Sequence, residues 1–168
     1  MIGTVRLFRG NLLDVDCDAV VNAANSTLMG GGGVDGAIHA AAGPNLKEAC
    51  RPLAPCPTGE VRVTEGFGLG DRLIFHTVGP IWRGGEEGEA GKLAACYHNC
   101  LDELIRRNLS SIAFPAISTG AYGYPADAAA RVAARECRAA AANHPLDITL
   151  AAFDPVNADA LSAALDAH

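Results

Sequence analysis

Two amides, a run of glycines and one carboxylate lie close together near the start of the chain. Asn22 and Asn25 are followed by four consecutive glycines, 30–33, and then by Asp35. A glycine backbone turns freely and lets a ligand approach closely. The N–H groups of such a loop, together with the N-terminus of a following helix, attract anions. The stretch 22–36 therefore predicts a phosphate-binding loop with polar groups beside it.

A second loop of the same kind occurs at 118–124. It consists of Ser118, Thr119, Gly120, Ala121 and Tyr122, followed by Gly123 and Tyr124. Two loops of this kind that face each other would hold a pyrophosphate from both sides. The purely structural alternative is that they are tight crossover connections. Four glycines in a row are costly to order, which favours a functional role for the first loop.

Several side chains near these loops have both a structural and a chemical interpretation. Asp35 could stabilise the first turn of a helix, or act as a general base or water positioner beside a bound phosphate. Asn25 could form a turn or bind a ligand hydroxyl, and Tyr122 could cover a ligand or pack. Phe153 could stack on a base or join the core. His39, four residues after Asp35, could point the same way, but a lone histidine on an apolar helix is usually structural.

The elements that must position these residues follow from the pattern of apolar residues. Strands are predicted at 4–8, 19–22, 60–65, 73–78, 111–117 and 147–153, and helices at 35–42, 45–53, 92–108, 125–143 and 155–167. The alternation predicts a three-layer α/β/α sandwich with a mostly parallel sheet. Such sheets bind ligands beyond the carboxyl ends of their strands. The stretch 82–91 is predicted to be a mobile loop, and a single domain, 1–168, is expected because no linker or repeat interrupts the chain.

Charge and composition exclude several classes of function. The net charge is −6, and Lys47 and Lys92 are the only lysines, so the chain lacks the basic face of a non-specific nucleic-acid binder. No signal peptide is evident, and the longest uncharged run, 109–126, contains two prolines, so no membrane helix is predicted. We expect a cytoplasmic monomer with reduced cysteines.

No cofactor or metal is expected. The G-x-G-x-x-G pattern at 31–36 begins about eight residues after its strand, unlike a dinucleotide-binding loop. The lysine of a P-loop is missing, which argues against hydrolysis at a γ-phosphate. Cys96 and Cys100 share a helix face, but His98 lies about 200° round from Cys96, so the three side chains cannot bind one ion.

Longer stretches resemble one family. Residues 18–26 (DAVVNAANS) and 30–39 (GGGGVDGAIH) resemble the signature of macrodomains, in particular the MacroD-type branch. The stretches 56–60 (CPTGE), 74–80 (IFHTVGP) and 117–125 (ISTGAYGYP) resemble it too. The likeness covers nearly the whole chain in order.

The resemblance implies a six-stranded mixed sheet between helices, with ADP-ribose in a cleft at the strand ends. MacroD-type members remove mono-ADP-ribose from aspartate and glutamate side chains and deacetylate O-acetyl-ADP-ribose. Both reactions cleave an ester at the distal ribose without a metal. Mono-ADP-ribosylated proteins and O-acetyl-ADP-ribose are therefore the implied substrates. A non-catalytic ADP-ribose reader and an ADP-ribose 1″-phosphate phosphatase are the alternatives.

The same resemblance assigns roles to residues. Asp35 would position or activate the attacking water, unless a substrate phosphate does so, and Asn25 would bind distal-ribose hydroxyls. The implied ligand-binding residues are Asn11, Leu12, Asn22, Asn25, Gly31, Gly32, Gly33, Val34, Asp35, Ser118, Thr119, Gly120, Ala121, Tyr122 and Phe153. Asn11 stands where many macrodomains have an acidic residue that accepts a hydrogen bond from adenine. We expect adenine recognition to survive, helped by the Leu12 backbone N–H, but without the charge assistance.

Overall fold

The computed structural model describes residues 2–167. Its strands are β1 (Thr4–Arg9), β2 (Ala19–Ala23), β3 (Val61–Glu65), β4 (Leu73–Thr77), β5 (Ser111–Phe114) and β6 (Asp147–Ala152). Its helices are α1 (Gly33–Ala42), α2 (Asn45–Cys50), α3 (Glu89–Arg106), α4 (Ala126–Asn143) and α5 (Pro155–Asp166). Strands and helices alternate in the predicted order.

The six strands form one mixed sheet in the order β1-β6-β5-β2-β4-β3. Only the β3–β4 pair is antiparallel; the other neighbouring pairs are parallel. The carboxyl ends of β2, β4 and β5 therefore meet at one edge. The predicted three-layer sandwich with a six-stranded mixed sheet is confirmed.

Alternating side chains build a core on each face of the sheet. Val20 and Ile74 pack on the side of α1 and α2, whereas Val21 and Phe75 pack on the side of α3, α4 and α5. Because helices cover both faces, the central strands are apolar on both sides. Polar residues that break this pattern on a central strand, such as Asn22 and His76, therefore need an explanation.

Several predicted boundaries need correction. β5 ends at Phe114 instead of Ile117 because Pro115 has no N–H for the ladder. α3 begins at Glu89 instead of Lys92, inside the predicted mobile loop. β4 ends at Thr77, one residue early. Within residues 2–167, no helix is both long and apolar enough to cross a membrane.

Candidate active site

A cleft of about 310 Å³ opens where β2, β4 and β5 end. Both glycine loops line it, as the sequence predicted. Its lining residues are Ala23, Ala24, Asn25, Gly31, Gly32, Gly33, Val34, Asp35, Gly79, Ala116, Ile117, Ser118, Gly120, Ala121 and Tyr122. The N-terminus of α1, which begins at Gly33, lies at the cleft and favours an anion there.

Asp35 occupies the first turn of α1 and is 5% exposed. Its Oδ1 atom accepts a hydrogen bond of 2.9 Å from Asn22 Nδ2. A Cβ placed on Gly31 would lie 3.4 Å from both Asp35 Oδ2 and Asn25 Nδ2, so the carboxylate and the amide flank one point of the loop. Asp35 thus has one oxygen held from behind and the other turned towards the cleft.

Local hydrogen bonds fix Asn25 and the loop beside it. Asn25 Nδ2 donates to the Gly30 carbonyl at 3.2 Å, and its Oδ1 accepts from the Thr27 hydroxyl at 2.7 Å. Gly36 has no room for a side chain because a Cβ there would lie 2.5 Å from the Gly31 carbonyl oxygen. The first turn of α1 and the glycine loop therefore pack directly on each other.

The residue Asn22 was predicted to bind the ligand, but its side chain does not reach the cleft. It is fully buried behind Asp35. Its register partner across the β2–β4 pair is His76, and Asn22 Nδ2 lies 3.1 Å from His76 Nδ1. The correction follows from strand alternation: Asn22 shares the buried face of Val20, under α1. Asn22 therefore holds Asp35 and does not line the cleft.

His76 continues this buried chain of hydrogen bonds. Burial lowers the pKa of His76 from 6.5 to about 4, so the ring is neutral near pH 7. An Asn22 oxygen facing the Asp35 carboxylate would be repelled, which places the Asn22 amide N–H groups towards both Asp35 and His76. His76 Nδ1 must then accept, and its Nε2–H donates to the Thr64 hydroxyl at 2.9 Å.

His39 lies on α1, one turn after Asp35. Its Nε2 atom is 3.5 Å from Asp35 Oδ1 and makes no hydrogen bond there. The sequence placed both side chains on one side of the helix, and the structure brings them together. His39 is mostly buried and does not line the cleft.

The second loop carries an unpaired hydroxyl on a residue that lines the cleft. Ser118 has φ +68° and is 7% exposed, and its Oγ atom has no hydrogen-bond partner among the described residues. The loop is closed by bonds from Tyr124 N–H to the Ser118 carbonyl and from Gly123 N–H to the Gly120 carbonyl. A left-handed serine with a buried free hydroxyl is typical of a ligand-binding position.

Gly79 is a site residue that the sequence reasoning missed. It follows the end of β4 and lines the cleft, and a Cβ on it would collide with Ser118 Oγ. A signal was available, because Gly79-Pro80 comes directly after a strand that was predicted to end at this edge of the sheet.

The remaining predicted residues lie outside the cleft. Thr119 turns the loop by donating its hydroxyl to the Ala116 carbonyl at 2.9 Å. Asn11 caps a short helical turn, with its Oδ1 accepting from Leu13 N–H at 2.9 Å, and Leu12 belongs to the core. Phe153 follows β6 and is 84% exposed. Asn11, Leu12 and Phe153 follow β1 and β6 at the same sheet edge, farther along it.

The predicted loop over 82–91 is shorter in the structure, because α3 begins at Glu89. The Glu89 carboxylate, 1% exposed, accepts hydrogen bonds from the backbone N–H groups of Arg83, Gly85 and Glu87 at 2.7–2.9 Å. These donors lower the pKa of Glu89 from 4.5 to about 2. The Trp82 N–H also donates to the Tyr122 carbonyl at 2.8 Å, which joins this loop to the second glycine loop.

A wider depression of about 640 Å³ lies at the opposite sheet edge, where β2, β4 and β5 begin. Asp14 and Asp16 line it, and its cation, Arg72, already donates to the Leu13 and Val15 carbonyls. Across residues 2–167, no three histidine, cysteine or acidic side chains are grouped to hold a metal ion. The cleft is therefore the place where side chains that could take part in a reaction lie close together.

Comparison with known proteins gives consistent matches. The family model for the Macro domain matches residues 21–133. A Macro domain-containing protein of Ralstonia nicotianae, RSc0334, is 57% identical over 80% of this chain and 79% of its own length. A protein of Cronobacter turicensis named O-acetyl-ADP-ribose deacetylase is 49% identical over 79% of this chain and 78% of its own. A mutant of the Oceanobacillus iheyensis macrodomain, solved with ADPR, superposes with a TM-score of 0.91 at 40% identity, covering 97% of this chain and 92% of that one.

Proposed function

Because this chain belongs to the Macro domain family, we propose that it is a hydrolase that binds ADP-ribose and cleaves an ester at the distal ribose. Its proposed substrates are proteins mono-ADP-ribosylated on aspartate or glutamate, and O-acetyl-ADP-ribose. The observation that carries the proposal is the Asp35 carboxylate, which is held in the first turn of α1 directly beside the glycine loop that lines the cleft.

Binding would use backbone donors and one hydroxyl. The N–H groups of 31–34 and the N-terminus of α1 favour the diphosphate from one side. Ser118 Oγ, buried and without a partner in the described part of the chain, would donate to it from the other. The Oceanobacillus iheyensis macrodomain, a close structural neighbour, has been solved with ADPR, which supports this ligand.

The chemistry assigns separate roles to the two polar side chains that flank Gly31. Asn25 would bind the distal-ribose hydroxyls. Asp35 would take a proton from water through Oδ2, the oxygen that Asn22 does not use. The hydroxide equivalent adds to the ester, and the products are the ribose hydroxyl and the free acid. A positioned general base of this kind contributes about 10²–10⁴ in rate.

The buried chain behind Asp35 would keep this geometry. Asn22 fixes one carboxylate oxygen, and neutral His76, anchored on Thr64, fixes the Asn22 amide. Because none of these three side chains lines the cleft, they would act as positioning residues. A base held this way needs little rearrangement when the substrate arrives.

A single set of measurements tests the proposal. ADP-ribose release is followed from a protein mono-ADP-ribosylated on glutamate, acetate release from O-acetyl-ADP-ribose, and phosphate release from ADP-ribose 1″-phosphate, with ADP-ribose affinity measured on the same sample. Turnover of the two esters in preference to the phosphate is the expected result. Binding of ADP-ribose with no turnover would refute the hydrolase and favour a reader, and preferred phosphate release would favour a phosphatase.

A further inference from the structure

A second depression of about 310 Å³ adjoins the cleft, and we call it the side groove. It shares Asn25, Gly79 and Tyr122 with the cleft, so the same three residues border both spaces. The other residues that matter for the groove are Thr58, Ile81, Arg83, Glu87 and Lys92. Its volume equals that of the cleft, which is far more than an acetyl group needs.

The strand order sets which end of the ligand faces the side groove. Asn11 and Phe153 follow β1 and β6, on one side of the cleft, whereas the groove begins beyond β4, on the other side. With adenine near Phe153 and the distal ribose at Asn25, the ester would point towards the side groove. The groove therefore lies where the group attached to the distal ribose has to leave the cleft.

Of the charged side chains that line the groove, one cation, Lys92, is not paired with a carboxylate of the described residues. Glu89 directs its carboxylate at three backbone N–H groups, and Glu87 pairs with Arg83 at 3.8 Å. Lys92 is exposed on the first turns of α3 and has no carboxylate within 4.0 Å among residues 2–167. Ile81, 47% exposed, adds an apolar side chain to the lining of the groove.

We infer that the side groove receives the peptide segment of the modified protein that carries the ADP-ribose ester, and that Lys92 pairs with an acidic residue flanking the modified one. This inference rests on the proposed function. The esterified side chain itself has lost its charge, so only its neighbours can supply the carboxylate. The Glu89 carboxylate holds the 83–88 backbone in place, which gives the groove a preformed wall.

The test compares Lys92→Glu with the wild type on three substrates. They are a peptide ADP-ribosylated on glutamate and flanked by aspartates, the same peptide flanked by asparagines, and O-acetyl-ADP-ribose. Lys47→Glu is the matched control, because Lys47 is the other lysine of the chain and lies exposed on α2, away from both spaces. Lys92→Glu is expected to lower kcat/KM for the aspartate-flanked peptide about fivefold or more relative to O-acetyl-ADP-ribose, and Lys47→Glu is not.

Two results would overturn the inference. One is an equal effect of Lys92→Glu on the peptide and on O-acetyl-ADP-ribose, and the other is an equal effect on the two peptides. Failure of the proposed function would look different, because the wild type would then release ADP-ribose from no ester. In that case the inference is tested by binding alone, with an aspartate-flanked peptide linked to ADP-ribose by a non-hydrolysable bond. Lys92→Glu must then lower the affinity for this peptide more than it lowers the affinity for free ADP-ribose.

Discussion

Replacing Asp35 by asparagine separates its two possible roles, because the amide keeps the size of the carboxylate and removes the charge. The Asn22 Nδ2 donor, 2.9 Å away, would still find an oxygen at the Oδ1 position. If Asp35 is the base, Asp35→Asn slows ester hydrolysis roughly 10²–10⁴-fold, about 3–5 kcal/mol on the barrier. ADP-ribose binding largely survives, since the loop donors remain.

The effect on stability is expected to be much smaller. Loss of charge costs about 1 kcal/mol in the Asn22 hydrogen bond and about 0.3–1 kcal/mol at the helix N-terminus. The substitution also removes the cost of keeping a charge at a position that is only 5% exposed, which offsets part of this loss of stability. The free energy of unfolding should therefore fall by no more than about 2 kcal/mol, a quantity that denaturant titration measures.

The assay combines ester turnover, ADP-ribose affinity and denaturant unfolding on the same samples. Asp127→Asn is the matched control, because Asp127 also lies in the first turn of a helix, α4, but is exposed and outside the cleft. Native turnover by Asp35→Asn, with a loss of stability like that of the control, would refute the reasoning. Asp35 would then be a helix-stabilising residue, and the water would be activated elsewhere, for instance by a substrate phosphate.

Three further predictions concern the surroundings of Asp35. The unfolded chain binds a proton at His76 below pH 6.5, but the folded protein resists it until about pH 4. Stability should therefore fall as pH decreases through this window, by roughly 3 kcal/mol, and His76→Asn should flatten that decline in denaturant titrations. Gly79→Ala should weaken ADP-ribose binding about tenfold, seen by calorimetry, because the new Cβ collides with Ser118 Oγ. Ser118→Ala should also weaken binding, yet stabilise the free protein by about 1 kcal/mol, seen in unfolding titrations.

Each of these predictions has a control or a contradicting result. A pH slope that is the same in wild type and His76→Asn would assign the titration to other histidines. Gly91→Ala, where a Cβ meets nothing within 4 Å, should leave ADP-ribose affinity intact. A Ser118→Ala variant that is less stable than the wild type would mean that the hydroxyl has a partner in the free protein.

Local patterns were enough for most of the fold. The alternation of apolar strands and amphipathic helices predicted the layers and their order, and the two glycine loops predicted the edge where the cleft lies. The family resemblance implied a mixed sheet but did not identify β3–β4 as the antiparallel pair. The sequence could not identify it either, because a strand that pairs through a short turn and a strand that follows a crossover have the same local pattern of apolar residues. The predicted start of α3 was wrong because it depends on hydrogen bonds that the sequence does not reveal. The Glu89 carboxylate accepts from three N–H groups of the preceding loop, and the helix begins there.

The site shows the same division between what is local and what is not. Asn25 and Asp35 could be chosen because they flank the glycines in sequence. Asn22 looked equivalent, but its depth depends on register, since it lies opposite His76 under α1. Gly79 gave a weaker signal. A side chain is excluded there only because the fold brings Ser118 of another loop against it.

Within residues 2–167, three buried polar side-chain atoms have no hydrogen-bond partner. They are Asn22 Oδ1 and His39 Nε2, whose residues do not line the cleft, and Ser118 Oγ, whose residue does. Each such atom costs about 1–3 kcal/mol of stability. Two of them belong to residues in contact with Asp35, and the third belongs to Ser118, which lines the cleft. Ser118→Ala is therefore expected to lower the affinity for ADP-ribose and to raise the stability of the free protein. The hydroxyl that destabilises the free protein is the one that would donate a hydrogen bond to a bound diphosphate.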